Sequence, residues 1–308
     1  MATIVKILKY LAIALLLVAG AARAGDIEDA GAAWEKKDYV TALNKYKSAA
    51  EKNDSHAQFG LGVMYHNGLG VKQDYAEAAR WYKLSATQGN DGAQYGLGAL
   101  YRTGQGVVQD YAEALRWFKL AAARGNADAQ SDLASMYYGG QGVSQDFAEA
   151  VRWFKLAAAR GNADAQSNLG LAYYTGQGVA QDYAEAVRWF KLAAEKGDGS
   201  AQTNIGIMYS DGKGVAQDYV EAVRWYKTAA AQGMFEAQNN LAKMYYEGRG
   251  VIQNYVQAHM WSNLAAVNGK ASAVKNRDII ATKMTPQQIA EAQKLARDCQ
   301  ARNFKNCD

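Results

Sequence analysis

The 308-residue chain carries 34 basic and 30 acidic side chains, three histidines, two cysteines and one proline. A formal charge of +4 at pH 7 is too small for a general nucleic-acid binder. One proline excludes a long Pro-rich linker between domains.

At the amino end, residues 1–24 read as a secretory signal peptide. Lys6 and Lys9 supply the positive region, residues 10–19 the apolar stretch, and Ala22-Arg23-Ala24 a small-x-small cleavage site, so the mature chain is expected to begin at Gly25. The apolar stretch is shorter than the about 20 residues a membrane span needs; an uncleaved anchor is the alternative. Without Lys6, Lys9 and Arg23 the balance becomes 31 basic against 30 acidic residues. Export predicts a periplasmic or secreted location.

Residues 25–53 form a degenerate first unit expected to cap the amino end. Its Asp38, Tyr39, Ala42 and Tyr46 stand 36 positions before Asp74, Tyr75, Ala78 and Tyr82. From residue 54 to 269 one unit recurs six times, marked by Trp81, Trp117, Trp153, Trp189, Trp225 and Trp261 at intervals of 36. A unit of this length cannot close its own core and must bury its apolar face on its neighbours.

The third copy shows the pattern. In residues 129–138, Ala129, Leu133, Met136 and Tyr137 fall on one helical stripe, and Gly140 is read as a left-handed cap. This helix is A. After the turn GQGVSQ, Asp146 and Glu149 are spaced as a capping box opening helix B. In helix B, Ala150, Trp153, Phe154 and Ala157 should turn inward, with Glu149, Arg152, Lys155 and Ala159 outward. Gly161, like Gly269 in the last copy, closes the helix. Each unit is therefore an antiparallel helical hairpin.

Residues 270–308 should form C-terminal capping helices. Residues 271–283 read as a helix, and Thr285, Pro286 and Gln288 open the final one with a capping box and a proline at its first position. The tail holds eight basic and four acidic side chains, so it is either a solvated cap or a contact to an anionic envelope surface. It also holds Cys299 and Cys307. Unbroken helix would keep their Cα atoms roughly 12 Å apart, against a bridging limit of about 7 Å. A disulfide therefore requires the helix to end between them, and two free thiols are the alternative.

Chemistry is poorly provided for. His56 and His66 sit about 280° apart around one helix and His259 is five units away, so no metal site or histidine-dependent triad can be assembled. The repeated Asp/Glu pairs are explained by capping, and the G-x-G of Gly104 and Gly106 follows a helix, where a phosphate-cradling loop follows a strand. No catalytic, cofactor or metal-binding residue is assigned, and the chain is read as not an enzyme.

The unit AQxxLGxMYxxGxGVxQDYAEAxRWYKLAAxxGN, seen from residue 57 onward, resembles the Sel1-like repeat, a relative of the tetratricopeptide repeat. The stretch from Met284 to Ala290 is similar to the ending of many such proteins. The resemblance implies an all-α, right-handed superhelical solenoid of helix hairpins with the A helices lining its concave side. It also implies an adaptor or scaffold for protein partners, in bacteria often in envelope signalling or host contact. Cysteine-rich relatives carry a disulfide in each repeat and are linked to β-lactams. This array has no cysteine, which leaves a cell-wall or β-lactam hydrolase as a weak alternative, beside a passive envelope component held by the tail.

Comparing the six copies separates constant from changing positions. The positions of His56, Phe59, Gly60, Val63 and His66 in helix A change most, and three of these rows read Phe59, Tyr95, Ser131, Ser167, Thr203, Asn239; then Val63, Ala99, Ser135, Leu171, Ile207, Lys243; then His66, Arg102, Tyr138, Tyr174, Ser210, Tyr246. If these line the concave side they form a groove of graded chemistry for a protein or peptide. Phe59, His66, Tyr95, Arg102, Tyr138, Leu171, Tyr174, Ile207, Lys243 and Tyr246 are its expected contacts. Tyr and Arg lead, because they are favoured interface anchors. Unconstrained drift is the alternative, and Tyr138 could instead pack within the array.

Overall fold

The computed structural model describes residues 24–267 and 271–307. The signal-peptide reading on Lys6, Lys9 and Arg23, and the roles given to Gly269 and Lys270, lie outside the described residues. Sixteen α-helices and no strand occur among those described, and none of the helices is long and apolar enough to cross a membrane.

The chain divides into two compact units, Met1–Arg160 and Gly161–Asp308. The first holds α1 (Ala24–Glu35), α2 (Tyr39–Glu51), α3 (Ser55–Asn67), α4 (Tyr75–Thr87), α5 (Asp91–Thr103), α6 (Tyr111–Ala123), α7 (Ala127–Gly139) and α8 (Phe147–Ala159). The second holds α9 (Ala163–Thr175), α10 (Tyr183–Glu195), α11 (Gly199–Asp211), α12 (Tyr219–Ala230), α13 (Phe235–Glu247), α14 (Tyr255–Ala266), α15 (Ala271–Ala281) and α16 (Pro286–Ala301). Within each unit every helix packs on the next, except that α16 returns to α14, which α15 also covers. Both units are all-α helical-repeat solenoid arrays.

Local chemistry explains the boundaries. Helix α7 begins two residues before the expected start because Asn126 is its N-cap, its side chain accepting from the Ala129 N–H. It ends at Gly140, whose φ of +67° is left-handed, as expected. A second glycine of the turn, Gly142 at φ +68°, also sits against a neighbour: a Cβ there would press on the backbone of Tyr111 in the preceding repeat. Glycine at this position lets successive turns touch. The glutamine of the turn then closes the C-terminus of helix A. Gln145 donates to the Tyr138 carbonyl at 2.8 Å, and Gln73, Gln109, Gln181, Gln217 and Gln253 repeat the bond.

The Asp/Glu capping box is only half formed. The Asp146 carboxylate accepts from the Glu149 N–H at 2.9 Å, but the Asp146 N–H donates to the Tyr137 carbonyl. Glu149 turns instead to Arg152, at 2.6 Å, and accepts from the Trp153 indole N–H at 2.7 Å. The Arg152 guanidinium lies 4.4 Å over the Trp153 ring. Trp153 is thus half-buried beneath a charged cover, a correction to its inward placement, and Phe154 is the buried aromatic of helix B. Both bonds of the box form between Thr285 and Gln288 at the start of α16.

That buried aromatic organises each repeat. Tyr46, Tyr82, Phe118, Phe154, Phe190 and Tyr226 occupy it at intervals of 36, and each is at most 2% exposed. Tyr82 lies between Gly62 of its own helix A and Gly96 of the next, a Cβ on Gly96 falling 3.0 Å from the ring. Phe118 presses on Gly98, and Phe190 on Gly170. Small residues on helix A are therefore the slots into which large rings of helix B fit.

The ends are tied differently. In the first unit Asp26 of α1 accepts from Lys52 at 2.7 Å and Ser48 at 2.9 Å, and these partners, Lys52 first, hold its carboxyl down at about 2. In the second, α16 stops at Ala301, and Asn303, Phe304 and Asn306 take left-handed φ between +51° and +62°. The chain thereby reverses, and Cys299 and Cys307 form a disulfide with Cα atoms 5.1 Å apart.

Candidate functional site

The three changing rows of helix A do share a face, but its depth varies. In the first unit the first row is core. Phe59 and Tyr95 are 2% and 1% exposed, so neither is available to a partner, contrary to their selection as contacts. For Phe59 the reason is Gly92 of α5. The Phe59 ring closes over Gly92, and lies 6.0 Å from the Tyr82 ring; Tyr95 lies 5.8 Å from Phe118. His66 is buried as well, edge-on to Tyr75 at 5.2 Å. Its Nδ1 has no hydrogen-bond partner, and burial lowers its pKa. It too is removed from the contact set. Val63 and Ala99 of the second row are buried with them.

Arg102 keeps its side chain partly exposed, but it is committed to an ion pair with Asp132 of α7 at 2.9 Å and stacks 5.5 Å over Phe118. Tyr138 is half-buried and meets Phe147 of its own repeat edge-on at 5.0 Å.

In the second unit the second row comes to the surface, while Thr203 of the first row stays buried. Leu171 of α9 is 36% exposed and Lys243 of α13 is exposed, while Ile207 is half-buried against the core. Tyr174 is half-buried, packs on Tyr183 at 5.4 Å, and its hydroxyl accepts from Lys213 Nζ at 3.0 Å. Tyr246 is half-buried on Tyr255 at 5.6 Å. The third row thus repeats one contact, a ring against the first residue of the following helix B. This pre-orders Tyr138, Tyr174 and Tyr246 and leaves part of each ring accessible.

Lys243, Tyr246 and Glu247 border a cavity of about 190 Å³ between α13, α14 and α15, with Ser262, Asn276, Ile279 and Ile280. Ser262 is fully buried and its hydroxyl has no partner in the protein. Neither Ser262, Asn276 nor Ile279 was selected from the sequence. The signal was present, because Ser262 breaks the 36-residue series of aromatics. Asp132, the partner of Arg102, falls in the changing row of Gly60, whereas Lys213, the partner of Tyr174, carried no comparable signal. Among the described residues no group of three or more His, Cys, Asp or Glu side chains is placed to hold a metal ion.

The Sel1 repeat model matches residues 55–90, 92–126, 127–162, 163–198, 199–234 and 235–269. The chain belongs to the Sel1 repeat family. A Sel1 repeat protein from Oxalobacter formigenes of solved structure is 30% identical, over 78% of this chain and 96% of that one, with a TM-score of 0.72. A protective antigen of uropathogenic Escherichia coli strains displaying an SLR fold is 28% identical, over 87% of this chain and 81% of its own, with a TM-score of 0.46. No curated protein matches the chain. Proteins built of Sel1 repeats generally mediate protein–protein interaction, and the family is typically non-catalytic.

Proposed function

We propose that this Sel1 repeat protein is exported and that the A-helix face of its second unit binds a protein or peptide partner in the periplasm or outside the cell. The observation that carries the reading is the surfacing of the second row. Where the first unit has buried Val63 and Ala99, the second presents Leu171 and Lys243, with Tyr174 and Tyr246 pinned beside them. Apolar, cationic and pre-ordered aromatic groups on one face are what a partner needs for anchoring and orientation at low entropic cost. Export is supported by the charge, apolar stretch and cleavage pattern of residues 1–24.

Photo-cross-linking from position 171 or 243 in intact cells tests the face, with exposed Lys155 of α8 as the control position. Adducts confined to 171 and 243, and lost on combining Leu171→Asp with Lys243→Glu, are expected. Equal adducts from 155 would refute the site. Mass measurement of the mature chain tests export, with a start at Gly25 expected.

A further inference from the structure

The cavity beside Lys243 and Tyr246 stands where every other repeat keeps an aromatic ring. Tyr46, Tyr82, Phe118, Phe154, Phe190 and Tyr226 fill the slot between one helix A and the next, and the seventh member of the series is Ser262. Part of the slot's wall is kept, although Arg277 and Asp278 stand where the preceding repeat has Leu241 and Ala242. Asn276 of α15 holds the position that Asn204 and Asn240 hold beside Phe190 and Tyr226, and Ala242 of α13 is as small as Ala134 beside Phe154. A half-open cavity of about 190 Å³ borders Ser262 there, lined also by Lys243, Tyr246, Glu247, Asn276, Ile279 and Ile280. A cavity of about 150 Å³ lined by apolar side chains is already large enough to take a benzene ring.

Two further features give the void a direction and a chemistry. Its lining is buried at Ser262 and Ile280 but exposed at Lys243 and Ile279, so it opens on the A-helix face. The Ser262 hydroxyl, fully buried and without a partner, lies at the closed end. In the other repeats the ring enters from helix B; a ring entering from the A-helix face is reversed, and leads with its para position toward Ser262.

We infer that this cavity is the anchor subsite for a tyrosine side chain of the partner peptide, whose ring replaces the missing aromatic and whose phenolic hydroxyl bonds to Ser262 Oγ. A hydroxyl can both give and accept a hydrogen bond, so either direction satisfies the buried serine. A site with a buried polar group discriminates against the ligand that leaves it unpaired, so tyrosine is taken in preference to phenylalanine. The inference rests on the reading that the A-helix face of the second unit receives a peptide.

The test uses the full mature chain with p-cresol as the tyrosine side-chain probe and toluene as the phenylalanine probe, read by calorimetry and ligand-observed NMR. p-Cresol should bind saturably and more tightly than toluene, by roughly tenfold. Ser262→Phe, which refills the slot from within, should abolish binding of both probes, raise the thermal midpoint of the second unit, and abolish cross-linking from position 243. Ser262→Ala, which keeps the void and the fold, should retain toluene and lose the preference for p-cresol. No p-cresol binding, or equal binding to Ser262→Phe, overturns the subsite. If cross-linking from 171 and 243 persists in Ser262→Phe, the anchor is refuted while the face stands. If p-cresol binds but neither position cross-links, the peptide is refuted as the occupant.

Discussion

The first and second units carry the same helix A positions at different depths. In α3 and α5, Gly60, Gly62, Gly92, Gly96 and Gly98 open spaces that Phe59 and the helix B aromatics occupy. The variable positions are thereby drawn into the core. In α9 and α13 the corresponding second-row positions are Leu171 and Lys243, and they remain outside. Change between copies is therefore not a measure of exposure. In the first unit it records exchange of packing volume between neighbours, since a ring can be accepted only where the adjoining helix has given up a side chain.

This contrast can be broken most forcibly at Phe59. Phe59→Ala should destabilise the first unit by about 3–5 kcal/mol, the usual cost of removing a core aromatic. Urea denaturation followed by near-UV circular dichroism would measure it. A loss below about 1 kcal/mol would return Phe59 to the list of contacts.

A smaller effect is expected from the ion pair. Arg102→Ala leaves Asp132 beneath the surface without its cation, for a loss of about 1–2 kcal/mol, less than a fully buried pair because the arginine is partly solvated. In the second unit, Lys213→Ala should cost less, since the Asp211 it leaves behind is exposed and already solvated. Equal losses at the two positions would contradict the difference in depth.

Acidification sharpens the comparison at His66. Its folded pKa is lowered by burial, whereas the unfolded chain protonates near about 6.5. The unfolded state then binds more protons below that pH, so the contribution of His66 is complete above it and is lost as pH falls toward the folded value. His66→Phe should flatten the pH dependence of the first unit between pH 7.5 and 5, measured by thermal melting. His259 in the second unit is buried with its pKa lowered, burial again the leading cause, and should continue to impose its own dependence there. An unchanged slope in the first unit would show that His66 is solvated.

The smallest effect is the most useful for function. Leu171→Ala and Lys243→Ala should each change stability by no more than about 0.5 kcal/mol while reducing partner cross-linking. A large loss of stability at either residue would mean that the second-unit face is also core.

Much of the fold was legible in the residue pattern. Tryptophans at a spacing of 36, the alternation of helix stripes, Gly140 and its equivalents, and Thr285 with Gln288 locate the hairpins and several of their caps, because these are local requirements of backbone hydrogen bonding. Trp153 was misassigned because a period of 3.6 residues identifies a face but not which of two adjacent aromatics the next repeat will cover, whereas the pairing of Glu149 with Arg152 one turn on was legible. The candidate face was legible as a set of positions and not as a surface. Phe59, Tyr95 and His66 resemble interface anchors in isolation, and only Gly92, Phe118 and Tyr75 make them interior.

The sequence alone determined that this protein is a series of helical hairpins built from Sel1 repeats, since periodicity, capping and turn glycines act within about one unit of chain. Tertiary structure decided which of the changing side chains face water and where a ring-sized space remains beside Ser262. Both depend on the volumes of residues brought together from successive repeats, and volume is shared between neighbours in space, whatever their separation along the chain.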